Sequence, residues 1–310
     1  MIYYNCLSIF LELLMSIPLK LEALLNKTHS EKNLLQDNNF YYLYKFVSFD
    51  KDLLVLESIK SQKLKYTKPK FLDDKYETDF QINWAPFLKS EGMSKEMNAI
   101  YKQKHGEKIE ETMTKQIQKL FKTQFGVCSL TSDPFNTSLW ARYTDDNKGF
   151  LIEFKFPKHN DDVASHLIPI PLVYKQNISK INGKEVKRIF IDCKNDEPNE
   201  VDDERFTIMQ KALFTKALNW KFLKEYRMLE VDLTDIEKEE KNIILRKYPL
   251  DYLSSIILGM NITDDNKIKI QEVIDELNKK YGTNIEIFTS SKHPTNATKY
   301  ITNEGHPRVK

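Results

Sequence analysis

Two charged residues on one predicted strand could support metal-dependent hydrolysis. Glu153 and Lys155 stand two positions apart, and side chains two apart on a strand point to the same face of a sheet. Acidic residues precede them in the chain: Asp133, Asp145 and Asp146. Carboxylates on neighbouring strands can share a Mg²⁺ ion that stabilises charge on a phosphate. The pattern fits a metal-dependent nuclease, although a chain rich in Lys and Glu also produces it as a solvated strand face.

Two further pairs combine aromatic rings with charges. Trp140 and Tyr143 are three apart on a predicted helix, so they share one side of it. Glu225 and Arg227 are two apart on a predicted strand and face the same way. Packing of the rings in the core and an ion pair between the two charges would explain both pairs without any ligand.

A turn early in the chain is rich in carboxylates. Its acidic residues are Asp73, Asp74 and Glu77. They could position Arg142 or Arg227 through charge-assisted hydrogen bonds. A carboxylate–arginine network beside Trp140 would suit either a phosphate-bearing ligand or a structural lock.

The sequence lacks the motifs of several common activities. It contains no Walker-A loop, no G-x-G-x-x-G after a predicted strand, no H-E-x-x-H and no G-x-S-x-G. The 47 Lys and Arg residues nearly balance 45 Asp and Glu, so bulk charge does not favour nucleic acid, which stays only a candidate target. The three cysteines are far apart and predict neither a disulfide framework nor a zinc site. We therefore expect no metal and a cytoplasmic location.

Residues 1–38 are predicted to form a helical N-terminal extension. Apolar residues recur there at helical spacing, and Pro18 separates two short amphipathic helices within Met1–Leu25. Glu12 interrupts the apolar run, and no basic residue precedes it, which fits neither a signal peptide nor a membrane span. These helices are expected to dock on the domain or to contact a protein partner, with no membrane association.

Beyond residue 38 the pattern alternates between strands and helices. Strands are predicted at 41–47, 63–67, 125–130, 149–156, 168–174, 227–233, 255–260 and 285–288. Helices are predicted at 50–60, 94–123, 138–143, 200–218 and 263–280. This order predicts an α+β or mixed α/β fold with a central sheet and flanking helices. We expect a single domain over 39–290 with a long helical insertion at about 86–124, followed by a polar tail at 291–310.

Four segments, in this order, resemble the bacterial domain-of-unknown-function-2971 family. They are Leu43–Phe46 with the acidic turn that follows, Val127–Phe154, Thr215–Arg227, and Ile256–Gly259. The middle segment is the most specific, with Trp140, Tyr143 and the Lys148-Gly149-Phe150 run. Leu223 stands where the family has the first Glu of its late block, which leaves Glu225 as the only carboxylate of that pair.

The resemblance implies a role in phage defence or as a toxin, since a related abortive-infection family shares the pattern. The family layout is similar to the three-motif plan of ADP-ribosyltransferases, which implies a distantly similar fold and NAD as the ligand. In that plan Lys45 holds the NAD ribose or phosphate, and Tyr143 with Trp140 stacks on nicotinamide. Glu225 binds the ribose hydroxyl and favours the oxocarbenium-like transition state.

The resemblance thus implies Glu225 and Tyr143 as catalytic residues. The residues implied to bind the ligand are Lys45, Trp140, Arg142, Arg227, Asp74 and Glu77. Three hypotheses follow: an NAD-consuming transferase or toxin, a metal-dependent nuclease using Glu153 and Lys155, and a non-catalytic sensor or interaction module of a defence system. The first predicts that the implied residues converge on one pocket.

Overall fold

The fold is taken from a computed structural model. It describes residues 34–49, 54–72, 74, 78–90, 99–100, 102–104, 106, 108–158, 163–187, 207–232, 242–297, 300–302 and 305–309. The predicted helices within Met1–Leu25 lie outside the described residues, as do Asp73 and Glu77.

The described part of the chain is dominated by strands. They are β1 (Phe40–Val47), β2 (Lys63–Thr67), β3 (Phe80–Asn83), β4 (Phe125–Thr131), β5 (Phe150–Pro157), β6 (Ile170–Pro171), β7 (Val173–Lys175), β8 (Ser179–Asn182), β9 (Thr215–Ala217), β10 (Glu225–Val231), β11 (Ile243–Lys247), β12 (Leu253–Leu258), β13 (Glu286–Lys292) and β14 (Tyr300–Thr302). Among the described residues, ten of these strands form one mixed sheet in the order β11-β2-β4-β1-β5-β12-β13-β14, with β10 pairing β4 and β6. The coarse prediction of a mixed α/β fold with a central sheet is confirmed.

The described helices flank this sheet. They are α1 (Leu54–Lys60), α2 (Ala85–Ser90), α3 (Ile109–Gln124), α4 (Thr137–Tyr143), α5 (Gly183–Lys187) and α6 (Asp264–Tyr281), and residues 207–213 are also helical. One face of the sheet is covered by a large apolar cluster that includes Leu43, Ile152 and Met228. A second apolar cluster joins α3 to β3 and β8. Within the described residues, no helix is both long and apolar enough to cross a membrane.

The unit β12–α6–β13 confirms the clearest local prediction. Thr263 caps α6, since its hydroxyl accepts a hydrogen bond from the Asn266 amide at 3.3 Å. Gly282 ends the helix in the left-handed region at φ 66°. β13 then pairs parallel with β12, with Ser255 opposite Glu286. The cap residue, the period of the helix and the terminal glycine therefore suffice to predict this segment.

Two predicted segments differ in the structure. Residues 215–217, within the predicted helix 200–218, form β9, because they pair in parallel with β7; tertiary pairing overrides local helical preference there. The predicted polar tail is also structured where it is described. β13 extends to Lys292, β14 pairs with it, and the segment 305–309 buries His306 and Val309.

Gly259 is predicted to tolerate no side chain. A Cβ atom there would lie 2.2 Å from the Asn147 carbonyl oxygen and 2.7 Å from that of Gly149. We expect Gly259→Ala to lower the free energy of unfolding by about 2–3 kcal/mol, because backbone atoms must shift. Gly282→Ala is the control: a Cβ there meets open space, so only the left-handed backbone should cost about 1–2 kcal/mol. Urea denaturation measures both, and an effect at Gly259 no larger than at Gly282 would contradict the expectation.

Candidate active site

Strand pairing places Glu225, Arg227 and Ser129 on one face of the sheet. Glu225 opens β10 directly after Lys224, which is in the left-handed region at φ 44°. β10 pairs antiparallel with β4 along its whole length, with Glu225 opposite Thr131 and Arg227 opposite Ser129. Because paired residues and residues two apart share a face, these side chains must lie together.

The Glu225 carboxylate is almost fully enclosed and bound on both oxygens. The Ser129 hydroxyl donates to Oε1 at 2.7 Å, and Arg227 Nε donates to the same atom at 2.8 Å. Lys216 Nζ donates to Oε2 at 3.1 Å. Glu225 is 6% exposed and Arg227 is 1% exposed. We call Glu225, Arg227, Ser129 and Lys216 the Glu225 centre.

These charges keep the carboxylate ionised. Burial raises the pKa of Glu225, but the positive charges of Arg227 and Lys216 outweigh that effect and hold the pKa at about 2. At neutral pH the group is therefore an anion and a hydrogen-bond acceptor. It accepts the hydrogen bonds of Ser129, Arg227 and Lys216, and a carboxyl group that is ionised at neutral pH does not serve as a general acid.

An aromatic layer adjoins the Glu225 centre through Lys216. The Lys216 ammonium lies 5.3 Å from the ring centroid of Trp220. The Arg142 guanidinium lies 5.0 Å from the same ring and 5.5 Å from the Tyr143 ring. Contacts thus lead from Tyr143 and Arg142 through Trp220 and Lys216 to Glu225, and we call Trp220, Tyr143 and Arg142 the aromatic layer.

Trp140, implied by the resemblance to bind a ligand, is instead a core residue. It is 1% exposed and packs edge-on against Phe46 and Tyr300, with centroid distances of 5.3 and 6.0 Å. Its indole N–H donates to the Pro134 carbonyl at 2.8 Å. Asn136 caps α4, and the helix turns Trp140 towards the sheet. Trp140 therefore packs in the core, as the alternative without a ligand predicted. Tyr143, three residues later, is half-buried.

Lys45 does not reach the Glu225 carboxylate. Tyr44 pairs with both Glu153 and Thr131, whereas Lys45 pairs with Ile152 in the apolar cluster of the opposite face. Since adjacent residues on a strand alternate, Lys45 belongs to the face opposite Glu225. Its ammonium donates to the Ser129 backbone carbonyl at 3.3 Å. Contacts therefore link Tyr143, Arg142, Arg227 and Glu225, whereas Lys45 and Trp140 lie outside this set, and the predicted convergence on one pocket stays a prediction.

Of the three carboxylates in the acidic turn, the structure describes only Asp74. Asp74 is half-buried, and Glu77 lies outside the described residues. The carboxylate that Arg227 engages is Glu225, so the predicted Glu225–Arg227 ion pair is present.

Sequence reasoning assigned no role to Ser129, Lys216 or Trp220. All three lie inside segments that carry the family resemblance. The alternation of β4 could have placed Ser129 beside Glu225 once the two strands were paired. Lys216 had no such signal, because its segment was predicted to be helical up to residue 218. Trp220 lies between that helix and the strand predicted at 227–233, where no element was predicted.

The residues of the nuclease hypothesis are engaged in other contacts. Glu153 is fully buried, and Arg308 donates to both of its carboxylate oxygens. Asp133 pairs with Lys224 at 2.8 Å, and Asp145 pairs with Lys148 at 3.4 Å. In the part of the chain that the structure describes, no group of three or more His, Cys, Asp or Glu side chains is placed to hold a metal ion.

Comparisons with protein-family models, with curated proteins and with solved structures find no match for this chain.

Proposed function

We propose that the Glu225 centre and the aromatic layer bind NAD, and that the chain is an ADP-ribosyltransferase-like, NAD-consuming effector of the defence or toxin type. The observation that supports this best is the line of contacts from Tyr143 and Arg142 through Trp220 and Lys216 to Glu225. It joins aromatic rings, two cations and one carboxylate that is ionised at neutral pH, and these groups can contact the base, the phosphates and the ribose hydroxyls of a dinucleotide.

Each part of the site has a separate task in this proposal. The exposed Arg142 guanidinium binds a phosphate, for which its planar donors are suited. Trp220 and Tyr143 offer rings to a base or to nicotinamide. Glu225 accepts a hydrogen bond from a ribose hydroxyl, and its charge stabilises positive charge that develops on the ribose carbon. When the glycosidic bond of NAD breaks, its electron pair returns to the ring nitrogen, so nicotinamide leaves as a neutral molecule and the positive charge passes to the ribose carbon.

Lys216 controls access to the carboxylate. Its ammonium lies 5.3 Å from the Trp220 ring centroid and 3.1 Å from Glu225 Oε2, and its side chain is 10% exposed. A phosphate at the aromatic layer would attract this ammonium away from Oε2 and open that oxygen to a hydroxyl. Ligand charge and carboxylate exposure are therefore coupled through one side chain.

Replacement of Glu225 by Gln should abolish NAD turnover. We expect a fall in kcat of at least about 10²–10³-fold, which is typical when one group that stabilises charge in the transition state is removed. Turnover is measured by release of nicotinamide from NAD with purified protein, and circular dichroism checks the fold. Arg142→Met provides a second variant at an exposed position, and it should raise KM because it removes a phosphate contact.

Glu230→Gln is the matched control. Glu230 lies on the same strand and pairs with Arg246 at 3.0 Å, but it is outside the Glu225 centre, so turnover should be unchanged. Wild-type protein that neither binds nor consumes NAD would remove the proposal. Equal losses in the Glu225 and Glu230 variants would show that the effect is one of stability.

A further inference from the structure

A cavity lies apart from the Glu225 centre, near the ends of other strands of the large sheet. It has a volume of about 620 Å³ and lies where β1 begins, β5 ends, and β12 and β13 begin, beside the segment 305–309. None of the Glu225 centre residues lines it. Its volume falls within the about 300–1,000 Å³ that small-molecule sites occupy.

One wall carries an arginine that is held in a fixed orientation. Arg308 Nε and Nη2 donate to the two oxygens of the buried Glu153 at 2.9 and 2.5 Å, and Nη2 also donates to the Ser254 hydroxyl at 3.1 Å. The guanidinium stacks on the Tyr42 ring at 3.8 Å from its centroid. Arg308 Nη1 donates to no residue that the structure describes, so it remains available to a ligand.

A second cation lines the same cavity. Lys155 is half-buried and lies over the Phe40 ring at 5.3 Å from its centroid. It makes no ion pair with any described carboxylate. A pre-oriented guanidinium and an ammonium without an acidic partner are a combination that binds phosphate.

The carboxylates of the cavity differ in what they can accept. Asp37 already accepts from the amides of Asn39 and Phe40, each at 2.8 Å, and from the Tyr42 hydroxyl. Glu286 is exposed and makes no ion pair with a described residue. It therefore remains free to accept hydrogen bonds from ligand hydroxyls.

Strand spacing sets the distance between the cationic and acidic sides. Lys155 is on β5 and Glu286 is on β13, with β12 between them, and Glu286 is level with Glu153 through their shared partner Ser255. Two strand spacings of about 5 Å each, and two residues along the strand at about 3.4 Å each, therefore separate the two residues. The backbones of the two sides are thus about 12 Å apart, and a ligand that is anionic at one end and rich in hydroxyls at the other would satisfy both sides. Asn39 and Asn284 also line the cavity.

We propose that this cavity binds a phosphorylated sugar, free or as part of a nucleotide, with its phosphate on Lys155 and Arg308 and its hydroxyls on Glu286. The proposal is independent of NAD turnover at Glu225. It gives the protein a second ligand site, placed against the segment 305–309.

Calorimetric titration of the full chain tests the site with four probes: ribose 5-phosphate, adenosine monophosphate, ribose and inorganic phosphate. The two phosphorylated sugars should bind, ribose should not, and inorganic phosphate should bind at least 10-fold more weakly. Tighter binding of the nucleotide than of ribose 5-phosphate would assign the source as nucleotide, and the reverse order would assign free sugar phosphate. Failure of both phosphorylated probes to bind would overturn the proposal, and inorganic phosphate binding as tightly as ribose 5-phosphate would overturn the role of Glu286.

Variants separate the two ends of the ligand. Lys155→Met should weaken binding of ribose 5-phosphate at least 10-fold, whereas Lys148→Met, at an exposed lysine just before the other end of β5, should leave it unchanged. Glu286→Gln, at an exposed position that should not affect folding, should weaken ribose 5-phosphate while leaving inorganic phosphate unchanged. Unaltered affinity in both the Lys155 and Glu286 variants would place binding elsewhere and overturn the proposal.

Discussion

Trp140→Ala should lower the free energy of unfolding by about 3–5 kcal/mol, a range typical of large aromatic residues in cores. The side chain is 1% exposed and contacts the rings of Phe46 and Tyr300. The change would leave a cavity and an unpaired carbonyl at Pro134, which accepts the indole hydrogen bond. Guanidinium denaturation followed by circular dichroism measures the loss.

Trp220→Ala is the matched control for Trp140→Ala. Trp220 is half-buried, and its ring contacts the cations Lys216 and Arg142 and the ring of Phe222. We expect a loss of only about 1 kcal/mol for this variant, in line with cation–π contacts at accessible sites. Similar losses at the two tryptophans would contradict the assignment of Trp140 to the core and of Trp220 to the aromatic layer.

The parts of the fold that sequence predicted are those that local rules determine. The strands β2, β4 and β5 and the helices α4 and α6 lie within one or two residues of their predicted bounds. Alternation, helical period and capping act over a few residues, so one chain reveals them. β9 was missed because it exists only through its pairing with β7.

The parts of the site that sequence missed depend on register and on distant contacts. Which face Lys45 occupies follows from its pairing with Ile152, and a shift of one residue would reverse it. Arg308 meets Glu153 from 155 positions away along the chain. The residues around Arg308 and around Glu153 carry no local pattern that predicts this ion pair. The polar composition of residues 291–310 predicted a tail instead.

The sheet face opposite the large apolar cluster holds two buried carboxylates in different settings. Thr131 pairs with Glu225 and with Tyr44, and Tyr44 pairs with Glu153, so the two acids share that face. Glu225 is bound by Ser129 and Arg227 of the large sheet and by Lys216 of the separate β7–β9 pair. Glu153 is bound by the segment 305–309. We infer that Glu225 serves the proposed NAD site, and that Glu153 anchors the segment beside the second cavity.

Glu153→Ala should lower the free energy of unfolding by about 3–5 kcal/mol, since removing one partner of a buried ion pair leaves the other charge uncompensated. Arg308 would lose both oxygens, and the hydroxyls of Tyr44 and Ser255 would lose acceptors at 2.9 Å each. His306, which is fully buried and 3.5 Å from Oε1, would lose its nearest charge. Urea denaturation gives the loss, and limited proteolysis should show faster cleavage after residue 302.

Two further variants test whether the loss comes from the ion pair. Glu286→Gln, at an exposed position of the neighbouring strand β13, should change stability by less than about 0.5 kcal/mol. The double variant Glu153→Met with Arg308→Met should recover part of the loss of Glu153→Met alone, because it removes both charges together. A loss below about 1 kcal/mol for Glu153→Ala, or no recovery in the double variant, would show that the pair does not hold the segment.

Acid should weaken this anchor in a defined direction. Burial raises the pKa of Glu153, but the hydrogen bonds and charges of His306 and Arg308 outweigh it and hold the pKa well below the usual range. A carboxyl group with a lowered folded-state pKa contributes stability that is fully present above its unfolded pKa of about 4.3, and that is lost as pH falls towards the folded value. The wild-type free energy of unfolding should therefore fall more steeply below about pH 4.3 than that of Glu153→Gln. Because the Gln variant cannot titrate at this position, parallel pH profiles for the two proteins would mean that Glu153 is not held ionised in the folded chain.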